Sequence, residues 1–358
     1  MKTFDCDNCG ERIFFENTGC LACGSMVGFV PEHLTLSAFG PKEEGHYSII
    51  HDASGSRWRK CRNYEEENVC NWMLPADSAE EYCPSCRLNE VIPDLSVNNN
   101  RTLWAKMEAA KRRLTFSLLR LRLPVLRKED DPERGLAYRF LADPDDDFTE
   151  TRRVLTGHDR GIITINIAEA DDAVREKMRL DMREVYRTLL GHFRHESGHY
   201  YWDRLFADTG REDAFRAVFG DEREDYGGSL QRHYKNGPPP DWQERHITSY
   251  AAVHPWEDWA ETWAHYLHIT DTLETACYNG IEIRTPEGKH IVRDPFRGRF
   301  SSVAQDWFAL RFVLNSLNRS MGLQDPYPFV MGPAVIDKLT FIHDWLREQR
   351  DRSETVSP

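Results

Sequence analysis

No run of about 18 consecutive apolar residues occurs in the chain, so the sequence offers no membrane-spanning helix. The first fifteen residues carry polar side chains and cysteines where an export signal needs an apolar stretch, and a cytoplasmic protein with no membrane association is expected. Basic charge is in deficit. Lys and Arg number 46 against 59 Asp and Glu, and the net charge of −13 repels a phosphate backbone at long range. Nucleic acid is therefore a disfavoured partner unless the cations are gathered on one face. The one basic run, Lys111-Arg112-Arg113 continuing to Arg122 and Arg127, is interleaved with leucines at helical spacing and reads as a solvated helix face. Internal repeats and low-complexity tracts are absent. Beyond residue 90 cysteine is nearly absent as well, with Cys277 alone, for which a buried hydrophobic position is expected.

What is present suits a folded enzyme. Hydrophobic residues make up 40% and charged residues 29%, too apolar a balance for disorder, and 358 residues exceed the usual size of one core. Two domains are expected. Eight of nine cysteines precede residue 90, and the turn-forming stretch 92–101 puts the joint near Asn99, giving a cysteine-rich module at 1–98 and a second domain at 99–358. Trp104, Met107, Lys111, Leu114, Leu118 and Leu121 recur at helical spacing until Pro124 stops the pattern. Loops are expected over 129–147 around a short strand at 136–141, and the β-branched run at 162–167 reads as a second strand.

Asp171 or Asp172 can cap the helix that follows. Val174, Met178, Met182, Val185, Leu189 and His192 lead at helical spacing into His195, His199 and Trp202, which puts the histidine pair on a buried helix face, with Gly191 a point where the helix can break. His192 reads as a core residue or a support behind a ligand. Gly227-Gly228 and Gly237-Pro238-Pro239-Pro240 mark loops, and residues 256–269 return to helix. Amphipathic helices at 303–317 and 333–347 read as core packing.

In His195-Glu196-Ser197-Gly198-His199 the i and i+4 histidines project from one helix face, so both can reach a single zinc at about 2.0 to 2.1 Å. Glu196 projects nearby and can take a proton from a zinc-bound water, whose pKa the metal lowers from about 15.7 to about 7. A third ligand should come from a second helix. Glu257 and Glu261 are again i and i+4, flanked by Trp256, Trp259 and Trp263, so one can bind zinc while the other orients a ligating histidine. Tyr250, seven residues before Glu257, is a candidate donor to the oxyanion of a tetrahedral intermediate, with His254 and His246 as competitors.

Cys6-x2-Cys9 and Cys20-x2-Cys23 have the paired-knuckle spacing of a thiolate zinc site, with Gly10 and Gly24 supplying the turns. Cys61, Cys70, Cys83 and Cys86 provide four more thiolates, although spacing does not fix which pairs share a metal. In a reducing compartment metal ligation is a better use of these thiols than disulfides. A site closed by four thiolates has no position for substrate, so these two zinc ions are expected to be structural and the histidine site to hold one catalytic zinc.

The matching stretches are Cys70-Asn71-Trp72, Cys83-x2-Cys86-Arg87-Leu88-Asn89, Ala110-Lys111-Arg112-Arg113-Leu114, Thr156-Gly157-His158, Ile163-Thr164-Ile165-Asn166, His192-Phe193-Arg194-His195-Glu196, His199-Tyr200-Tyr201-Trp202 and His254-Pro255-Trp256-Glu257-Asp258-Trp259-Ala260-Glu261. In these the chain resembles, over nearly its full length, a bacterial zinc-binding metallopeptidase family with an N-terminal zinc-ribbon domain. The resemblance implies an α+β protein, a zinc-ribbon module followed by a mainly helical zincin-like domain with a small sheet. It further implies the gluzincin arrangement, in which Glu257 is the third ligand and Glu261 the acid behind a histidine. A similar gluzincin has a tyrosine upstream of its ligand glutamate, which favours Tyr250.

The expected function is zinc-dependent hydrolysis of peptide bonds in a peptide or protein substrate, with the isoleucine strand binding extended substrate along an exposed edge. Two other readings compete. One is a zinc amidohydrolase acting on a non-peptide amide. The other is a zinc-ribbon adaptor that binds protein or nucleic acid and keeps the histidine site without catalysis, against which the intact Glu196 argues. The ribbons can also serve the peptidase by contacting a protein partner.

Overall fold

The computed structural model describes residues 1–97, 99–143, 154, 156–182, 184–286 and 288–356, with side chains to residue 351. Asn98 at the expected joint and residues 144–147 of the expected loop lie outside the described residues. The chain forms two compact units, one of residues 2–175 and one of residues 176–358 together with Met1. The architecture is α+β, and among the described residues no helix is long and apolar enough to cross a membrane.

The first unit begins with short antiparallel ribbons that present the cysteines. Strands β1 (Phe4–Asp5) and β2 (Arg12–Ile13) bracket Cys6 and Cys9, and β3 (Met26–Val30) pairs with β4 (Thr35–Phe39) after Cys23. Gly10 and Gly24 sit at φ 76° and 74°, a left-handed conformation that glycine adopts without a Cβ penalty, and their amides close turns onto the carbonyls of Cys6 and Cys20. Strands β5 (Tyr47–Ser48), β6 (Arg57–Lys60) and β7 (Met73–Pro75) form an antiparallel sheet, with the short helix α1 (Arg62–Glu65) starting just after Cys61.

The same unit continues through β8 (Asn89–Val91) into helix α2 (Asn100–Arg120). Phe116 of α2 enters an aromatic cluster with Phe15 and Phe29, at ring distances of 5.5 and 5.7 Å, and Trp72 covers Phe29 at 4.6 Å. Aromatic packing of this kind ties the helix to the ribbon beyond what buried area alone contributes. Trp104, Met107, Leu114, Leu118 and Leu121 are buried, as their spacing requires.

Two cations of the basic run, Lys111 and Arg112, are not on the solvated face its charge suggested, whereas Arg122 is exposed. Lys111 is fully buried and pairs with equally buried Glu108 at 2.9 Å, while Glu108 also accepts from Trp104 Nε1 at 3.1 Å and Asn89 Nδ2 at 2.8 Å. Arg112 is buried too and donates to the Val69 carbonyl. Burial alone would lower its pKa, but Cys70, Cys86, Glu108 and Cys83 supply enough negative charge to hold it above the usual value. Spacing located the buried face of α2 without revealing that a cysteine cluster lies against it.

Strands β9 (Ala137–Leu141), β10 (Gly157–Asp159) and β11 (Ile162–Asn166) complete a sheet in the order β10-β11-β9-β8. The isoleucine strand β11 is bonded on both sides, antiparallel to β10 and parallel to β9. Over Ile162–Thr164 it has a strand on each side, so among the described residues this stretch is not the exposed edge expected from the sequence. Its continuous apolar character is that of an interior strand.

Helix α3 (Asp172–Asp181) is capped by Asp171, whose Oδ1 accepts from the amides of Ala173 and Val174. Here the expected apolar stripe fails. Met182 and Val185 are 55% and 62% exposed, and the helix stops seven residues before the next begins. In the second unit α4 (Leu189–Leu205) starts afresh at Thr188, whose extended backbone and hydroxyl cap the amide of Gly191. The break thus lies at the cap, three residues ahead of Gly191.

Helices α5 (Glu212–Phe219), α6 (Tyr226–Asn236) and α7 (Trp242–Arg245) follow, and Gly227 and Gly228 form the first turn of α6 instead of a loop. Helix α8 (Pro255–Tyr278) carries buried Trp259, Trp263, Tyr266 and Leu267, with half-buried Cys277 near its end. A hairpin of β12 (Glu282–Thr285) and β13 (Gly288–Ile291) leads to α9 (Phe300–Ser320) and α10 (Pro333–Val356). Val335, Leu339, Ile342 and Leu346 of α10 are buried, and so are Val303, Trp307 and Leu310 of α9. The C-terminal half of α9 departs from core packing, with Phe312 and Leu317 exposed.

Candidate metal centre

Helices α4 and α8 approach closely because Gly198 has no side chain. A Cβ there would lie 2.8 Å from Ala260 Cα and 3.2 Å from its carbonyl oxygen. The contact is then fixed by polar bonds, Trp259 Nε1 donating to the Gly198 carbonyl at 2.8 Å and Trp263 Nε1 to the Ser197 hydroxyl at 3.1 Å. These tryptophans therefore set the register of the two helices and do not simply fill space.

That register brings His195, His199 and Glu257 together. The two Nε2 atoms are 3.2 Å apart, and Glu257 Oε2 lies 3.1 Å from that of His195 and 3.5 Å from that of His199. Three ligands at about 2.05 Å from one tetrahedral ion would stand about 3.3 Å apart. Glu261 Oε1 lies 2.7 Å from His195 Nδ1, and a carboxylate can only accept, so the ring proton sits on Nδ1 and Nε2 offers a lone pair. Ligand atoms converging this closely in a buried site can share a cation. The set fits zinc.

Electrostatics agree. Burial disfavours a charged His195, yet the Glu257 and Glu261 carboxylates outweigh it and raise the pKa well above the ordinary value. Burial would likewise raise Glu257, which is 2% exposed, but His199 and His195 hold it well below the usual carboxylate range. The site thus draws positive charge to the point where the three ligand atoms meet.

Glu196 is buried beside the pair on α4, and His192 is half-buried outside the three-residue cluster. Tyr250 has its ring 6.1 Å from that of His195. Burial and then the Glu257 charge push its phenol far above the ordinary value, so the hydroxyl stays a donor. The histidine competitors have other partners. His254 caps α8, accepting from the Trp256 amide at Nδ1 at 3.1 Å and donating from Nε2 to the Glu224 carbonyl at 3.1 Å. His246 stands 3.2 Å from buried Asp258, which also binds Lys338 at 2.6 Å.

Sequence reading missed Tyr226. Its hydroxyl donates to Glu257 Oε1 at 2.7 Å. Nothing in the spacing signals it, because Tyr226 and Glu257 lie on separate helices.

The cysteines gather into two groups, Cys6 with Cys9, Cys20 and Cys23, and Cys61 with Cys70, Cys83 and Cys86. All are free thiols, and sulfur separations are 3.7 Å for Cys6 to Cys23, 3.6 Å for Cys9 to Cys20 and 3.8 Å for Cys70 to Cys83. Four sulfurs at about 2.3 Å from a tetrahedral zinc would stand about 3.8 Å apart. In the second group the amides of Trp72, Cys83 and Cys86 point at sulfurs of Cys70, Cys61 and Cys83 at 3.3 to 3.4 Å. In the first, hydrogen bonds from the Ser25 hydroxyl and amide lower Cys23 to about 6.

Residues 100–345 match the family described as "Putative zinc-binding metallo-peptidase", and residues 3–97 match a zinc-ribbon domain. Proteins of Mycobacterium bovis and of two strains of Mycobacterium tuberculosis, described as uncharacterized, are each 41% identical over 344 residues, covering 96% of this chain and 94% of their own. No solved structure matches the chain. Spanning most of its length with the family model, and carrying the zinc-ribbon domain ahead of it, the chain belongs to the zinc-binding metallopeptidase family.

Proposed function

We propose that the chain hydrolyses peptide bonds at a zinc centre held by His195, His199 and Glu257, with two further structural zinc ions in the cysteine groups. The observation that carries this reading is the triangle of two Nε2 atoms and one Oε2 at 3.1 to 3.5 Å, next to buried Glu196 on the same helix. Zinc held there supplies Lewis acidity, polarising a scissile carbonyl and acidifying water.

The rest is the work of this chain's side chains. Glu196 takes the proton of the attacking water and returns it to the leaving amine. Tyr250 donates to the oxygen on which charge develops. Glu261 keeps the proton of His195 on Nδ1, so that Nε2 stays a ligand. A purely structural site needs no carboxylate between its histidines, which favours catalysis over an adaptor role. Free clustered thiols suit a reducing compartment, and we place the activity in the cytoplasm.

The test is cleavage of an unbiased peptide library by the full-length chain, with and without chelator and beside Glu196→Gln. Chelator-sensitive cleavage lost in the variant is expected. Cleavage that survives chelation and the variant would overturn the reading, and hydrolysis confined to non-peptide amides would move it to an amidohydrolase.

A further inference from the structure

Glu257 has two carboxylate oxygens but only Oε2 faces the histidine nitrogens. The other is held by the Tyr226 hydroxyl at 2.7 Å. We propose that Tyr226 is a positioning residue of the metal centre, keeping Glu257 a one-oxygen ligand; this rests on the zinc reading above.

Tyr226 is itself fixed from several directions. Asp225 caps α6, its carboxylate accepting from the Gly228 amide at 3.1 Å, so Tyr226 sits in the first turn with a defined direction. A Cβ at Gly228 would meet the second oxygen of that carboxylate, so a larger residue there would have to turn the cap. The carbonyl of Glu224, two residues earlier, accepts from His254 Nε2, and His254 is the residue that caps α8 three positions before Glu257. The Tyr226 ring packs between His254 and Trp256 at 5.3 and 6.1 Å. One pair of caps thus aligns the phenol of α6 with the carboxylate of α8.

The consequence for coordination follows from valence. A carboxylate whose second oxygen accepts a strong hydrogen bond loses little by binding a metal through the first, whereas a released oxygen turns to the metal and raises its coordination number. Three single-atom ligands leave one position of a tetrahedral ion for the reaction, and a two-oxygen Glu257 would crowd it.

The experiment uses the full-length chain with zinc in the thiolate groups and Co2+ refilled into the weaker histidine centre. Wild type, Tyr226→Phe, Tyr250→Phe and Glu257→Ala are compared by visible absorption of the cobalt, by metal affinity and by thermal melting as a control for folding. Tyr226→Phe should lower the intensity of the cobalt bands, as a rise in coordination number does, and weaken affinity by about 10 to 100-fold. Tyr250→Phe should leave both as in wild type. An unchanged spectrum and affinity in Tyr226→Phe would overturn the proposal, and so would equal shifts in both phenylalanine variants. If wild type takes up no cobalt that Glu257→Ala lacks, the zinc reading itself falls, a result separate from either of these.

Discussion

Glu261 grips His195 from the side of the ring away from the ligand cluster, with Oε1 at 2.7 Å from Nδ1 and Oε2 accepting from the Thr248 hydroxyl at 2.8 Å. Glu257, four residues earlier on α8, instead meets the Nε2 atoms directly. One turn of helix separates the carboxylate that faces both Nε2 atoms from the one behind His195.

The two carboxylates should therefore fail differently. Glu257→Ala is expected to abolish zinc at the histidine centre at ordinary concentrations, while Glu261→Ala should weaken affinity or activity by about 10 to 100-fold and refill with excess zinc. Zinc titration of both full-length variants checks this. If Glu261→Ala fails to refill and Glu257→Ala does, their roles must be exchanged.

Glu196→Gln preserves size and removes the base. Hydrolysis should fall by at least about 10²-fold with metal content unchanged. Retention of more than about a tenth of wild-type kcat would exclude Glu196 as the base.

Tyr250→Phe should lower kcat by up to about 10² to 10³ while zinc content holds, as loss of one oxyanion donor does. His254 and His246 have other partners, the α8 cap and Asp258, so alanine at either should act on folding before it acts on kcat. An unchanged kcat in Tyr250→Phe would refute the assignment.

Lys111→Met tests the buried pair under the second cysteine group. It leaves Glu108 charged and without its cation, and should cost about 3 to 5 kcal/mol in denaturant unfolding. A loss below about 1 kcal/mol would mean that Asn89 and Trp104 alone satisfy Glu108.

Much of the centre was legible because its parts are local. His195, Glu196 and His199 lie within one turn and a half of one helix, and Glu257 with Glu261 within one turn of another, so spacing alone put each set on a face. What could not be read were relations between elements. Tyr226 reaches Glu257 across 31 positions of sequence, Lys111 is buried with Glu108 against Asn89, and Arg112 faces cysteines far upstream. The stripe through Met182 and Val185 misled because periodicity measures the chance of a helix, whereas the Thr188 cap decides where one begins.

The two family matches end and begin at residues 97 and 100, yet Phe116 of the second lies inside the aromatic cluster of the first, and Arg112 lies against its cysteines. A recombination event at that border would strand α2 with a bare aromatic ring and an uncompensated guanidinium, and would leave the ribbon with a hole of the same shape. A relative that had shed its ribbon is therefore expected to carry a polar residue in place of Phe116, whose ring would otherwise meet water.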